Sequence, residues 1–141
     1  MNVQTRKAFV ALVATQAAHS LEEFAARLYE VFGPARTLSG LVCDDRAVGF
    51  AVLNVGVVIF GLWCYVAQVR PSRPAARALV WLWSAAELVN GTGHMILGVS
   101  RGGYFPGLGT APLLVEISLY LIRRTRARAS QAARHGRGGG R

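Results

Sequence analysis

The chain has few charged residues for its length. Only 16% of its 141 residues are Asp, Glu, Lys or Arg, whereas 52% are hydrophobic and the mean hydropathy is +0.34. An average soluble domain is about one-quarter charged, so this composition leaves too little polar surface for a small soluble globule, and it excludes a disordered chain. The scarcity of charge therefore indicates a single domain that lies in a membrane.

Acids and cysteines are scarce as well. The chain has seven acidic and sixteen basic residues, and its net charge is +9. Two cysteines are too few for a disulfide framework or a zinc motif. Seven arginines lie in residues 123–141, where there is no aromatic residue on which a nucleic-acid base could stack. We therefore expect a disordered, Arg/Gly-rich cytoplasmic tail over residues 126–141, which contacts anionic lipid and binds no specific nucleic acid.

Four apolar stretches are long enough to be membrane-spanning helices. They cover approximately residues 5–32, 47–69, 78–100 and 105–122. The second is free of charge and crosses the roughly 30 Å hydrocarbon layer most clearly, and Gly33 and Pro34 are expected to end the first. The predicted fold is all-α, an integral membrane four-helix bundle formed by residues 1–125.

The first stretch has a second interpretation. Arg6 and Lys7 precede an apolar run and small residues up to Ala18, a pattern that a cleaved secretory signal peptide also shows. Polar residues continue at helical spacing as far as Glu30, which favours one uninterrupted helix. Cleavage after residue 18 stays open at this point.

The basic residues predict an orientation in the membrane. With four spans both termini share one side, and that side collects twelve basic residues, whereas the other side holds only Arg36, Arg46 and Arg101. Lys and Arg are in excess on the cytoplasmic side of membrane proteins. We therefore expect a multi-pass protein of the inner (cell) membrane with both termini in the cytoplasm.

Ionisable residues fall inside the predicted spans. An acid at the centre of a spanning helix costs about 2.5–3.5 kcal/mol, so these groups should face one another inside the bundle. Helical spacing supports this, because Glu22 and Glu23 follow His19 at i+3 and i+4. The predicted metal-ligating residues are His19, Glu22, Glu23, Glu87, His94 and Glu116. The polar residues predicted to surround them are Asn54, Asn90, Thr110 and Tyr120.

Three interpretations of such an intramembrane His/Glu site remain open. The imidazoles and carboxylates are suitable ligands for a transition metal such as Fe, Mn or Zn. Without a metal, Glu22, Glu23 or Glu87 could exchange protons with a neutral histidine, as in a general acid/base membrane isomerase. The polar groups could also only join helices in a non-enzymatic carrier or scaffold. We favour a site, with or without a metal, that acts on a small lipophilic substrate.

Three short motifs add a resemblance. They are His19-Ser20-Leu21-Glu22-Glu23, then Asn90 followed by His94 on a Trp-rich helix, and then the run from Tyr104 to Thr110. In this order they resemble the motifs of the HXXEE family of bacterial membrane proteins, over roughly residues 8–122. The resemblance implies a multi-span membrane protein with a polar motif and leaves its chemistry open.

Overall fold

Residues 1–138 form four long helices and two short ones. The computed structural model describes the backbone of residues 1–138 and the side chains of residues 1–126. The long helices are α1 (Val3–Ala25), α4 (Arg46–Cys64, continued by a π-helical turn, Tyr65–Val69), α5 (Ala76–Ser100) and α6 (Ala111–Gly138); α2 (Leu28–Val31) and α3 (Gly33–Val42) join α1 to α4. Residues 1–138 include no strand, so the all-α prediction is confirmed.

The first predicted span ends earlier than expected. The prediction of one helix from residue 5 to 32 is wrong, because Arg27 adopts a left-handed backbone conformation (φ 54°) directly after α1. Gly33 and Pro34, expected to end that helix, instead begin α3. Proline suits the first turn of a helix because the backbone N–H groups there have no partner within the helix.

The fourth predicted span is displaced toward the C-terminus. Residues 105–110 form turns, and α6 begins at Ala111 with Pro112 in its first turn, so Pro112 does not kink the helix interior. The helix then continues to Gly138, into the segment predicted to be disordered, where Arg, Ala and Gln favour a helix. The disorder predicted for residues 126–141 stays a prediction, and residues 139–141 lie outside the described part.

One helix in the described part of the chain is long and apolar enough to cross a membrane. It comprises Arg46–Val69 and has a mean hydropathy of 2.2. The other long helices carry more polar residues, among them His19 in α1 and Glu87 in α5. The structure thus supports one of the four predicted spans by this criterion.

The helix ends collect at two opposite poles. Arg6 of α1 donates a hydrogen bond to Ser72, before α5, and Arg124 of α6 donates one to Gln4. We call this end, formed by residues 1–6, 70–77 and 120–126, the basic pole. At the other pole, residues 101–110 connect α5 to α6 and contact α1 at Glu22.

Two apolar clusters form the core. The first joins α1, α4, α5 and α6 through residues such as Phe9, Val80 and Leu114, and the second joins Leu28 and Phe105 near the 101–110 connection. Along α5, Glu87 and His94 come between residues of the first cluster and Leu97, which packs against the second. In the chain, His19 and Glu23 come between first-cluster residues of α1 and second-cluster residues of α2. Packing on both sides of the polar residues therefore fixes their positions.

Candidate metal centre

Three buried side chains from two helices converge on one point. His19 and Glu23 lie one turn apart on α1, and His94 projects from α5. The Glu23 Oε1 atom is 3.3 Å from His19 Nε2 and 3.0 Å from His94 Nε2. Each residue offers one ligand atom, and these atoms lie within 4.8 Å of one another, the one such group among the residues described. The structure thus brings together three of the six residues predicted as metal ligands.

A backbone carbonyl fixes the proton position of His94. Its Nδ1 atom lies 2.5 Å from the carbonyl oxygen of Pro106. A carbonyl can only accept a hydrogen bond, so Nδ1 carries a proton and donates it. In the neutral imidazole the lone pair is then on Nε2, the atom that faces Glu23.

A hydroxyl group does the same for His19. The Thr110 hydroxyl lies 2.7 Å from the Glu22 carboxylate and 2.7 Å from His19 Nδ1. Thr110 has one hydroxyl proton and an ionised carboxylate can only accept, so Thr110 donates to Glu22 and accepts from His19 Nδ1–H. The His19 Nε2 lone pair therefore faces Glu23, and this buried atom makes no hydrogen bond.

These proton positions direct three electron-rich atoms at the same space. Two nitrogen lone pairs and a carboxylate oxygen repel one another unless a cation or an added proton lies between them. Metal-binding histidines usually donate their other N–H group to a carbonyl or carboxylate, which sets the ring orientation. His94 has this pattern directly, through the Pro106 carbonyl, and His19 has it through the Thr110 hydroxyl, which donates to the Glu22 carboxylate. The ligand set is then two imidazoles and one carboxylate.

Glu22 has a different role from the adjacent Glu23. Its carboxylate accepts hydrogen bonds from the Tyr104 hydroxyl, the Gly109 N–H, the Thr110 N–H and the Thr110 hydroxyl, at 2.7–2.9 Å. All four donors belong to the 101–110 connection, so Glu22 holds this connection against α1. Partial burial and the Glu22 carboxylate raise the pKa of the Tyr104 phenol, which therefore stays a donor. Glu22, predicted as a metal ligand, lies outside the ligand group.

Gly107 brings the same connection against both imidazoles. A Cβ atom at this position would lie 2.6 Å from His19 Cε1 and 2.7 Å from His94 Nδ1. Its φ of 90° is also one that residues with a side chain rarely adopt. The backbone at Gly107 therefore forms one wall of the site.

Glu87 is the second buried carboxylate near the cluster. It is 5% exposed, and the Asn90 amide donates a hydrogen bond to it at 3.3 Å. It lies within electrostatic range of His19 and Glu23, although it is not one of the three grouped ligands. The predicted contact of Asn90 with the site thus runs through Glu87.

Asn54 contacts α1 beside the cluster. Its side-chain oxygen accepts a hydrogen bond of 2.7 Å from the Ser20 hydroxyl, between α4 and α1. Ser20 follows His19 directly and therefore lies on a different face of α1. Asn54 thus supports the helix pair without reaching the three ligands.

The two remaining predicted residues lie elsewhere. Among the described side chains of α6, the buried ones are Ala111, Leu114, Ser118, Leu121 and Thr125, whereas Glu116 is exposed on another face of that helix. Glu116 is accordingly not in the ligand group. Tyr120 accepts a hydrogen bond from Arg124 at the basic pole, so it is not a neighbour of the cluster.

Of the residues in the 101–110 connection, only Thr110 was predicted from the sequence as a site residue. Pro106 and Gly109 act through a backbone carbonyl and a backbone N–H, which every chain carries, so their residue types did not predict these contacts. The motif from Tyr104 to Thr110 was the one available signal. Its two glycines at 107 and 109 correspond to two close approaches to the site.

Fold and site together define an all-helical protein with a buried His/Glu cluster that a glycine-containing connection covers. The chain belongs to the HXXEE family, described as proteins of unknown function with an HXXEE motif, whose model matches residues 10–121. The matched region includes His19, Glu23, His94 and Thr110. Neither the search of curated proteins nor that of solved structures found a match.

Proposed function

We propose that this chain is a multi-pass membrane protein that binds a transition metal through His19, Glu23 and His94 and acts on a small lipophilic substrate. The observation that carries the metal proposal is the orientation of both imidazoles. Pro106 and Thr110 occupy the two Nδ1 atoms, so both Nε2 lone pairs face the Glu23 carboxylate.

Exposed apolar side chains support the membrane part of the proposal. They cover the outer faces of α4 and α5, including Val55, Ile59, Leu62, Val89 and Val99, each at least half exposed. Contiguous apolar surface of this kind is rare on soluble monomers. The collection of arginines at the basic pole supports a cytoplasmic position for that pole and for both termini.

A groove between α1 and α4 supports a lipophilic substrate. It encloses about 410 Å³ and is lined mainly by apolar side chains such as Leu21, Phe24, Phe50 and Val58. Ser20, next to His19 in the chain, lies in its wall. A molecule from the surrounding lipid could therefore approach the cluster without first entering water.

The donor set fits the metals expected from the sequence. Two imidazoles and one carboxylate are suitable for Fe, Mn or Zn and leave coordination positions open for a substrate or water. A bound ion of this kind supplies Lewis acidity. We propose that Glu87, the second buried carboxylate, exchanges protons with the substrate beside it.

The contact of Glu23 with both histidines also supports an alternative function, general acid/base chemistry without a metal. Because Glu23 Oε1 lies within 3.3 Å of both Nε2 atoms, a proton on either imidazole would also relieve the repulsion. The site would then perform general acid/base chemistry without a metal. In both cases Glu23 and the two histidines act as a unit.

Elemental analysis of protein purified in detergent without chelators tests the metal proposal. We expect bound transition metal in the wild type and most of it lost in His19→Ala and in His94→Ala. Gln16→Ala is the matched control, because Gln16 is a buried polar residue of α1 that donates a hydrogen bond to Ser20 and is not one of the three grouped ligands. Less than about 0.2 equivalents of metal in the wild type, or metal retained in both histidine variants, would favour the acid/base alternative.

A further inference from the structure

The basic pole contains a cavity lined by positive charges. It encloses about 330 Å³, and the residues that line it include Thr5, Ser72, Arg73, Arg77 and Arg124. They come from the start of α1, the segment before α5, the first turn of α5, and α6. None of the described residues that line the cavity is acidic. Arginines around one space repel one another unless an anion lies between them.

Ser72 has an unusual hydrogen-bonding position at this cavity. Its backbone is left-handed (φ 60°), a conformation that costs free energy in a residue other than glycine. Its hydroxyl oxygen accepts hydrogen bonds from Arg6 Nη2 at 2.8 Å and from the amino group of Met1 at 2.7 Å. The hydroxyl's own proton is thus available to an acceptor in the cavity, and no acceptor for it is found in the part of the chain with described side chains.

Two further donors lie close by. Helix α5 begins at Ala76 without a side-chain cap, and Ala76 and Arg77 line the cavity. The Ala76 N–H donates to the Arg73 carbonyl, so the first free N–H of the helix is that of Arg77. The N–H groups at the start of a helix attract anions. The Arg6 Nε atom is buried and makes no hydrogen bond. The described side chains that line the cavity thus include three guanidinium groups and no carboxylate.

We propose that this cavity binds a phosphate group, held by Arg73, Arg77 and Arg124, by the Ser72 hydroxyl and by the start of α5. Guanidinium groups match the geometry of phosphate oxygens and bind them with charge-assisted hydrogen bonds. The phosphate belongs either to the headgroup of an anionic lipid or to a soluble phosphate. A second, mostly apolar cavity with Arg77 and Trp81 in its wall adjoins the first, which suits the glycerol and acyl parts of a lipid.

Ligand titration of the full chain in detergent tests this proposal. The probes are dioctanoyl phosphatidic acid, inorganic phosphate, and dioctanoylglycerol as a lipid without phosphate, and the readout is the ligand-dependent rise in Tm. We expect phosphatidic acid to raise the Tm of the wild type and dioctanoylglycerol to have no such effect. Inorganic phosphate that competes at a similar concentration would identify a soluble phosphate as the source, whereas a response to the lipid alone would identify the headgroup.

Two variants and one control make the test specific. Arg73→Gln combined with Arg77→Gln should weaken binding about tenfold or more, because each charge-assisted hydrogen bond contributes strongly to affinity. Arg36→Gln combined with Arg46→Gln makes the same charge change at the opposite pole and should change affinity less than about twofold. Ser72→Gly suits the left-handed backbone, so it preserves the fold while it removes the hydroxyl, and it should also weaken binding.

Two results would overturn the proposal. One is that neither phosphate probe raises the Tm of the wild type. The other is that the control pair loses as much affinity as the Arg73 and Arg77 pair, which would show that only overall charge matters. Neither result depends on the metal content of the protein, so the metal proposal would stand or fall separately.

Discussion

At the scale of single residues, one hydroxyl proton decides what the site can bind. The Thr110 hydroxyl donates a hydrogen bond to Glu22 and accepts one from His19 Nδ1. The Glu22 carboxylate, which is not in the ligand group, therefore determines that Nε2 is the nitrogen of His19 with a free lone pair facing Glu23. Partners of this kind typically change metal affinity by about 10–100-fold when they are removed. Thr110 is therefore a positioning residue for the proposed metal centre.

Thr110→Val tests this role. Valine has nearly the same shape but no hydroxyl, so His19 loses the partner that fixes its proton on Nδ1, and metal affinity should fall about 10–100-fold. Competitive titration against a chelator measures the affinity. Thr15→Val is the control, because Thr15 is also buried and its hydroxyl donates only to the Ala11 carbonyl within α1. Equal affinities in the two variants would refute the positioning role.

The two buried glutamates provide a second test at this scale. Glu23 contacts both imidazoles, whereas Glu87 contacts Asn90. Glu23→Gln should therefore lose the metal, because an amide is a poor ligand compared with a carboxylate, and Glu87→Gln should keep it. Metal per protein, measured by elemental analysis of both variants, decides the matter. Loss in Glu87→Gln alone would mean that Glu87 is the true ligand.

The sequence predicted the histidines but could not separate Glu22 from Glu23. Both acids follow His19 at spacings that put them near its face of the helix, and they differ by one residue, about 100° around the axis. Only the 101–110 connection separates them, because its donors bind Glu22 and leave Glu23 for the histidines. That contact joins residues far apart in the chain, so helical periodicity carried no signal for it.

At the scale of elements, the 101–110 connection closes the site. The sequence assigned residues 105–110 to a spanning helix, because their apolar character continues into α6. In the structure Gly107 has a positive φ, and Pro112 lies in the first turn of α6. Apolar runs thus located the long helices, whereas the turns depended on local backbone conformation, as Arg27 also shows.

Gly107→Ala tests the closure. The added methyl group would overlap both imidazoles and require a disfavoured φ, so we expect a loss of at least about 2 kcal/mol in the free energy of unfolding. Gly103→Ala is the control in the same connection, because nothing lies within 4 Å of its added Cβ. Its effect should stay within about 0.5 kcal/mol. Unfolding in detergent with a chemical denaturant compares the two, and similar stabilities would contradict the proposed packing.

At the scale of the whole molecule, the two poles differ in charge and in content. Arg6, Arg73 and Arg124 gather at the basic pole, and the His/Glu cluster lies toward the other, with His94 about 9 Å along α5 from Ser100.

Thiol labelling in intact cells tests the orientation proposed for these poles. In a background with Cys43→Ser and Cys64→Ser, an impermeant reagent should label Asp44→Cys from outside and Arg73→Cys only after permeabilisation. Asp44 and Arg73 are both exposed and lie at opposite poles. The reverse pattern would contradict cytoplasmic termini, and labelling of both sites in intact cells would contradict a membrane-spanning arrangement.

The central claim is that two imidazoles and one carboxylate bind the same ion. X-ray absorption at the zinc edge of the full chain, loaded with one equivalent of Zn²⁺, tests it most directly. The account predicts two imidazole nitrogens at about 2.0–2.1 Å together with oxygen ligands at about 2.0–2.2 Å, and no more than one imidazole in His94→Ala. An oxygen-only shell in the wild type, or an unchanged imidazole count in the variant, would contradict it.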